Sequence, residues 1–298
     1  MFTPLFTRHS RSWQDNRYVY PVISRRSKGL SIGVNLNPDK VCNFDCVYCC
    51  VDRSSMPGRI DVDMNILRDE LDHMLALSAS GQLWSQPPFD STPDALKRLN
   101  DVAFSGDGEP TSFSRFKEAC ETAHRLIEQH QAHAKIVVIT NATLFHQPRV
   151  REALAFLDSA RGELWAKLDA GTEAYYRLVE RTAVPFQRVL DNLLDAGTAR
   201  PIVIQSLFMT LQGVGPDDAE IRAYIDRLNE LRSRGCRVKL VQVYTTARST
   251  AEAYVGPLSQ DRIDSICDAV RSHTGLKVEG YYGPSSARDQ IVPEYGQC

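Results

Sequence analysis

The sequence predicts an α/β fold built on a parallel sheet, and three observations carry that expectation. Short, nearly continuous apolar runs of strand type alternate about six times with amphipathic stretches of helical spacing. Glycine or proline stands at the ends of those stretches, where helices stop. The length, 298 residues, is about that at which an α/β barrel still folds as one unit. Apolar strands joined by helices require right-handed crossovers and a sheet covered on one or both faces. An open doubly wound sheet and a full or partial barrel both meet that requirement.

The elements follow in order. Residues 1–29 are an irregular, locally basic lead-in ("RHSRSWQDNR", then "SRRSKG", with Arg25, Arg26 and Lys28). The expected strands are "LSIGVNL" (30–36), "DVAFS" (101–105), "KIVVIT" (135–140), "ELWAKL" (163–168), "PIVIQSLFM" (201–209) and "RVKLVQVY" (237–244). Helices are expected over "MNILRDELDHMLALSAS", "SRFKEACETAHRLIEQHQ", "PFQRVLDNLLDAG" and "DDAEIRAYIDRLNELRSRG". "SQPPFDSTPD" (85–94) reads as a Pro-rich surface loop and the best place for an insertion. Residues 30–250 then form the core domain, and 251–298 a C-terminal helix and tail that completes or covers it.

Hydrophobic content of 43% and charged content of 24% are those of an ordinary globular chain. A net charge of −2 argues against a general electrostatic grip on nucleic acid or anionic lipid, so any polyanion site has to be local. "MFTPLFTRHSRSWQDNRYVYP" has too short and interrupted an apolar stretch for a signal peptide, and no apolar run of about twenty residues follows. These features suggest a cytoplasmic protein with no membrane partner. In a reducing compartment, eight cysteines are not a disulfide framework, and a tight cluster of them means metal or catalysis.

Such a cluster exists. In "KVCNFDCVYCCVDR" (40–53), Cys42, Cys46 and Cys49 form C-x3-C-x2-C, and Cys50 follows directly. Structural zinc closes its tetrahedron with four ligands, commonly as paired C-x2-C knuckles, and no second knuckle is present. Cys120, Cys236, Cys267 and Cys298 are scattered. Three thiolates on a short loop also suit a cubane iron-sulfur cluster whose fourth iron stays open to an outside ligand. Ligand count leaves both readings standing, with Cys50 as the nearby fourth ligand that zinc would need.

The next strand ends in "VAFSGDGEPTSF" (102–113). Gly106 and Gly108 around Asp107 let backbone approach a ligand, Glu109 offers an acceptor for a cation, and Pro110 stiffens the exit. The same turn also reads simply as a helix entry capped by Thr111 or Ser112. Its position, one strand after the cysteines on the C-terminal rim where parallel sheets build their sites, gives it weight.

Together the two stretches resemble the radical S-adenosylmethionine (SAM) superfamily, with C-x3-C-x-aromatic-C after the first strand and a GGE-type motif after the second. Tyr48 is the aromatic, and Asp107 replaces the first glycine. The resemblance implies a partial (β/α)6 TIM-like barrel. It also implies a [4Fe-4S] cluster on Cys42, Cys46 and Cys49 with SAM chelating the open iron, and an electron donor of flavodoxin or ferredoxin type. Reductive cleavage of SAM to a 5'-deoxyadenosyl radical then abstracts hydrogen from a substrate. By the same resemblance Gly106, Asp107, Gly108, Glu109 and Pro110 form the cofactor turn, and the backbone at Tyr48 reads the adenine. Thr140 and Asn141 in "VVITNATLF" lie near the methionine or ribose. Lys167 and Asp169 in "AKLDAGTEAYYRLVER" face cofactor or substrate, or form a rim salt bridge. Gln205, Tyr244 and Arg248 line the substrate side of the barrel.

The wording "SRRSKGLSIGVNLNPDKVCNFDCVYC" with "FSGDGEPT" is most similar to the branch containing the wyosine-forming tRNA enzymes. Those enzymes use a second cluster whose cysteines precede the main motif, whereas this sequence has none before Cys42. A single cluster and an unnamed substrate are therefore expected, with tRNA-base modification as the alternative. A non-catalytic iron-sulfur electron carrier and a zinc-stabilised binding protein are readings of another class.

Overall fold

The computed structural model describes residues 13–53 and 58–283. Cys298, most of the expected C-terminal tail and the start of the lead-in lie outside them. Ten strands are described: β1 (Val19–Ser24), β2 (Gly29–Val34), β3 (Leu99–Phe104), β4 (Lys135–Thr140), β5 (Gly162–Lys167), β6 (Ile202–Leu207), β7 (Met209–Leu211), β8 (Val238–Tyr244), β9 (Val255–Pro257) and β10 (Val278–Tyr281). The helices are α1 (Met64–Ala79), α2 (Phe116–Gln129), α3 (Pro148–Ser159), α4 (Glu173–Glu180), α5 (Phe186–Ala199), α6 (Asp218–Ser233) and α7 (Gln260–Thr274).

Eight strands form one sheet in the order β1-β2-β3-β4-β5-β6-β8-β10, curled into a half-barrel. β1 runs antiparallel to β2, and every other neighbouring pair is parallel. The predicted partial barrel is therefore present, extended by a hairpin strand at one edge and β10 at the other. The expected run 201–209 divides instead into β6 and β7. Asp169 takes the Leu207 N–H at 2.6 Å and the Tyr244 carbonyl takes that of Phe208 at 2.8 Å. The buried Phe208 ring then packs edge-on to Tyr224 at 5.2 Å, and β7 leaves the sheet to form a two-stranded ribbon with β9.

Local chemistry explains the helix boundaries. Asp63, Thr172, Asp217 and Ser259 each cap a helix by accepting backbone N–H groups of its first turn. Gly275, at φ 66°, ends α7 in the left-handed conformation that glycine takes without strain. The main core lies between the outer face of the sheet and the helices, around residues such as Phe104, Phe116 and Leu71. Each such side chain contributes roughly 1.5–3 kcal/mol relative to exposure.

The Pro-rich loop lies on the surface as expected and is anchored there. It folds into short 3-10 turns that bury Phe89 and Leu83 against Ile23 and Leu30, with Trp13 edge-on to Phe89 at 5.3 Å.

The concave face carries a separate apolar patch of Ala103, Val137, Trp165 and Val203. Beneath it, at the N-terminal ends of the strands, Glu163 receives Lys135 and Lys239, each at 2.6 Å, and the Trp165 indole N–H at 3.0 Å. Burial works against the Glu163 charge, but these hydrogen bonds outweigh it and hold the carboxyl at about 2. The β1–β2 turn reaches across the open side. Arg25 donates to the Tyr282 carbonyl, the Arg26 guanidinium stacks 5.0 Å from the Tyr244 ring centroid, and Lys28 lies 3.7 Å from Glu279. No helix among the described residues is long and apolar enough to cross a membrane.

Candidate active site

The loop after β2 carries the cysteines over the C-terminal rim. Its backbone is pinned to the end of α4 by Asp45 N–H to Glu180 carbonyl (3.0 Å) and Val47 N–H to Val179 carbonyl (2.9 Å). Cys42, Cys46 and Cys49 are half-buried and Cys50 is exposed, and all four line one cavity of about 310 Å³, at the small end of the range for ligand sites. Cys46 donates to Glu180 at 2.7 Å, and the Cys49 sulfur accepts from Arg53 at 2.9 Å. Burial pushes the Cys42 thiol up to about 11. Burial and then the Glu180 charge push Cys46 well above the ordinary thiol range. Unliganded Cys42 and Cys46 are therefore protonated, and metal loading at these two has to release protons. Among the described residues no three His, Cys, Asp or Glu side chains form a group that could hold a metal ion; the thiols open instead into the shared cavity.

The turn after β3 lies directly against this loop. A Cβ on Gly108 would stand 2.1 Å from the Val41 carbonyl oxygen, and one on Gly106 would stand 2.3 Å from Asn35 Oδ1. The glycines thus let the cysteine loop touch the turn, a closer constraint than the ligand approach that the sequence suggested. Asp107 accepts from the Asn35 side chain at 2.7 Å. Glu109, 2% exposed, turns inward, and burial raises its carboxyl above the usual range. It accepts from the Thr111 N–H (3.1 Å) and hydroxyl (2.5 Å), the Thr140 hydroxyl (2.6 Å) and the Asn141 N–H (2.7 Å). Its carboxylate is thus a strut between two strand ends. Pro110 begins the 3-10 turn that follows and is buried.

Thr140 and Asn141 meet this strut from β4, and the Asn141 side chain donates at 2.7 Å to Asn43 within the cysteine loop. From β5 come Lys167 and Asp169. The Tyr48 hydroxyl donates to Asp169 and lies 3.1 Å from Glu180, while Lys167 donates to that hydroxyl at 3.0 Å and sits 4.6 Å over the ring. Lys167 and Asp169 are 3.7 Å apart, so the rim ion pair read from the sequence is present, with Lys167 on the cavity wall and Asp169 behind it. Gln205, fully buried, donates to Gln242 at 2.8 Å, and its side-chain oxygen has no partner although the residue lines the cavity.

Two contributors were missed in the sequence. Glu180 is 1% exposed, and burial followed by the Asp169 charge lifts its carboxyl well above the usual range. Its only signal was an acid sharing the buried face of α4 with Tyr176 and Val179. Arg53 gave no signal beyond following the cysteines.

Comparison with known proteins agrees with this architecture. The Radical SAM superfamily model matches residues 36–228. A UPF0026 protein of Helicobacter pylori (strain J99) is 22% identical over 214 residues, covering 72% of this chain and 62% of the relative. A UPF0026 protein of Methanocaldococcus jannaschii is 25% identical over 257 residues, covering 83% of this chain and 68% of the relative. The chain thus spans about three-fifths of the length of the first of these. Among solved structures, TYW1 with a lysine-pyruvate adduct bound superposes with a TM-score of 0.54 at 16% identity, over 84% of this chain and 75% of that one. Native anSMEcpe with bound AdoMet gives 0.55 at 14% identity, over 84% and 63%. These likenesses are likenesses of fold. The family match begins just after β2 and ends inside α6, taking in most of the rim on which the cavity opens, and this chain belongs to the radical SAM superfamily.

Proposed function

We propose that this protein is a radical SAM enzyme that holds one [4Fe-4S] cluster on Cys42, Cys46 and Cys49 and cleaves SAM reductively to abstract hydrogen from a substrate in the cavity. The observation that carries the reading is that three half-buried cysteines on one loop line the same cavity as the Gly106–Glu109 turn and Gln205. The family brings a [4Fe-4S] cluster and SAM as cofactors. When bound, they supply a one-electron reductive cleavage that starts hydrogen abstraction.

The chain's own residues do the rest. The cysteine loop would hold such a cluster through Cys42, Cys46 and Cys49, and a cluster with three protein ligands would leave SAM an iron to bind. The turn at Gly106, Asp107 and Gly108, with Thr140 and Asn141 behind it, forms the near wall for SAM. Gln205 lines the opposite wall. Lys167 presents a cation that Tyr48 and Asp169 fix in place. Ala103, Val137 and Trp165 put apolar surface on the cavity wall, which would help shield a reactive intermediate from side reactions. A bound cluster would take its electron from an outside donor of flavodoxin or ferredoxin type. The contacts of Arg25, Arg26 and Lys28 within the chain give the tRNA alternative no added support.

The test is anaerobic purification with iron and sulfide quantitation, followed by incubation with dithionite and SAM. About four irons per chain and the appearance of 5'-deoxyadenosine support the reading. Absence of iron, or an intact cofactor beside a reduced cluster with cell extract supplied as substrate, overturns it in favour of zinc or an electron carrier.

A further inference from the structure

Arg53 stands four residues beyond Cys49 and is fixed at three points. Its Nη1 donates to the Cys49 sulfur at 2.9 Å, its Nη2 to the Asp107 carbonyl at 2.9 Å, and its Nε to the Lys40 carbonyl at 3.2 Å. A single planar fork therefore joins the third cysteine, the chain just before the first cysteine, and the glycine turn at the end of β3. Among the described residues no carboxylate lies within ion-pair distance of Arg53. The electron-rich group that answers its charge is the Cys49 sulfur.

We propose that Arg53 is a positioning residue that sets both the reduction potential of the cluster and the seat of SAM. This inference rests on the cluster reading above. A cluster ligand is a thiolate, and hydrogen bonds to ligand sulfurs are among the levers that set cluster potentials. A charge-assisted N–H to sulfur stabilises the more negative, reduced form over the oxidised one, so Arg53 raises the midpoint potential. Its second arm fixes the Asp107 carbonyl and with it the turn between Gly106 and Gly108. One side chain thus aligns the electron-delivering and cofactor-binding parts of the site. Lysine cannot replace it fully, because an ammonium supplies the charge but not the planar fork.

The experiment compares wild type, Arg53→Met and Arg53→Lys after anaerobic reconstitution, by potentiometric titration of the cluster and by the dissociation constant for SAM. We expect Arg53→Met to lower the potential by the equivalent of about tenfold in the reduction equilibrium, ~59 mV for a one-electron couple. SAM binding weakens by a similar factor. Arg53→Lys should keep most of the potential and still lose SAM affinity, a split that simple loss of loop stability would not produce. If Arg53→Met binds as much iron as wild type, with unchanged potential and SAM affinity within twofold, the inference is overturned. Should Arg53→Met fail to load iron, Arg53→Lys and Arg53→Gln decide, and wild-type values for both quantities in both variants overturn it. A wild-type protein that binds no iron overturns the cluster reading itself, whatever the variants do.

Discussion

The Asn141 backbone N–H donates to Glu109 Oε2 at 2.7 Å, and through that bond the turn after β3 is locked to the end of β4. The Asn141 side chain continues the connection to Asn43 at 2.7 Å, so a single line of hydrogen bonds runs from the glycine turn to the cysteine loop. Glu109→Gln should break it, because the amide must turn its NH2 toward donors that lose the carboxylate oxygen they donate to. We expect a loss of at least about 2 kcal/mol in denaturant-induced unfolding, with reduced iron loading at equal protein concentration. Equal midpoints for variant and wild type would show that the strut carries no weight.

Gly108→Ala places a methyl group against the Val41 carbonyl oxygen, and Gly106→Ala places one against Asn35, whose buried side chain is held by Asp107 and the Asn37 N–H and whose Cα stands 2.9 Å away. Backbone has to shift in both cases, at about 1–3 kcal/mol. Each variant should therefore lose iron and stability together, as measured by iron content and thermal melting. Wild-type melting and iron content in either variant would contradict the packing described.

Cys50 is exposed and its sulfur lies 3.9 Å from the Tyr48 carbonyl, a weak contact. Cys50→Ala should retain the full iron complement, while Cys42→Ala, Cys46→Ala and Cys49→Ala each lose it. Loss of metal from Cys50→Ala, with zinc found in the wild type, would favour a four-thiolate zinc site.

Glu163 makes the floor of the half-barrel acid-sensitive. Its folded carboxyl is lowered from 4.5 to about 2, so its stabilisation is fully present above pH 4.5 and fades as pH falls toward 2. Glu163→Gln should cost about 1–3 kcal/mol at neutral pH by leaving Lys135 and Lys239 facing each other. The gap between variant and wild type should close on acidification. A gap of constant size between pH 7 and pH 3 would assign the stabilisation to shape rather than charge.

The sequence by itself determined the α/β class, most of the parallel strands within a residue or two, and the stretches that meet at the rim. These are local properties: alternation of apolar runs with helical periodicity needs no long-range contact, and neither does C-x3-C-x2-C spacing. β1 and the departure of β7 were not legible, because short edge strands depend on their neighbours; the division at Phe208 is set by Asp169 and Tyr244, 39 and 36 residues away in the chain. Tertiary structure alone decided which way each polar side chain turned. Glu109, read as an acceptor for a cation, spends its carboxylate on Thr111, Thr140 and Asn141 because a buried acid has to satisfy both oxygens within the protein. Glu180 and Arg53 became visible only when folding set them against Cys46 and Cys49, since burial and charge pairing are properties of neighbours in space and leave no mark on spacing along the chain.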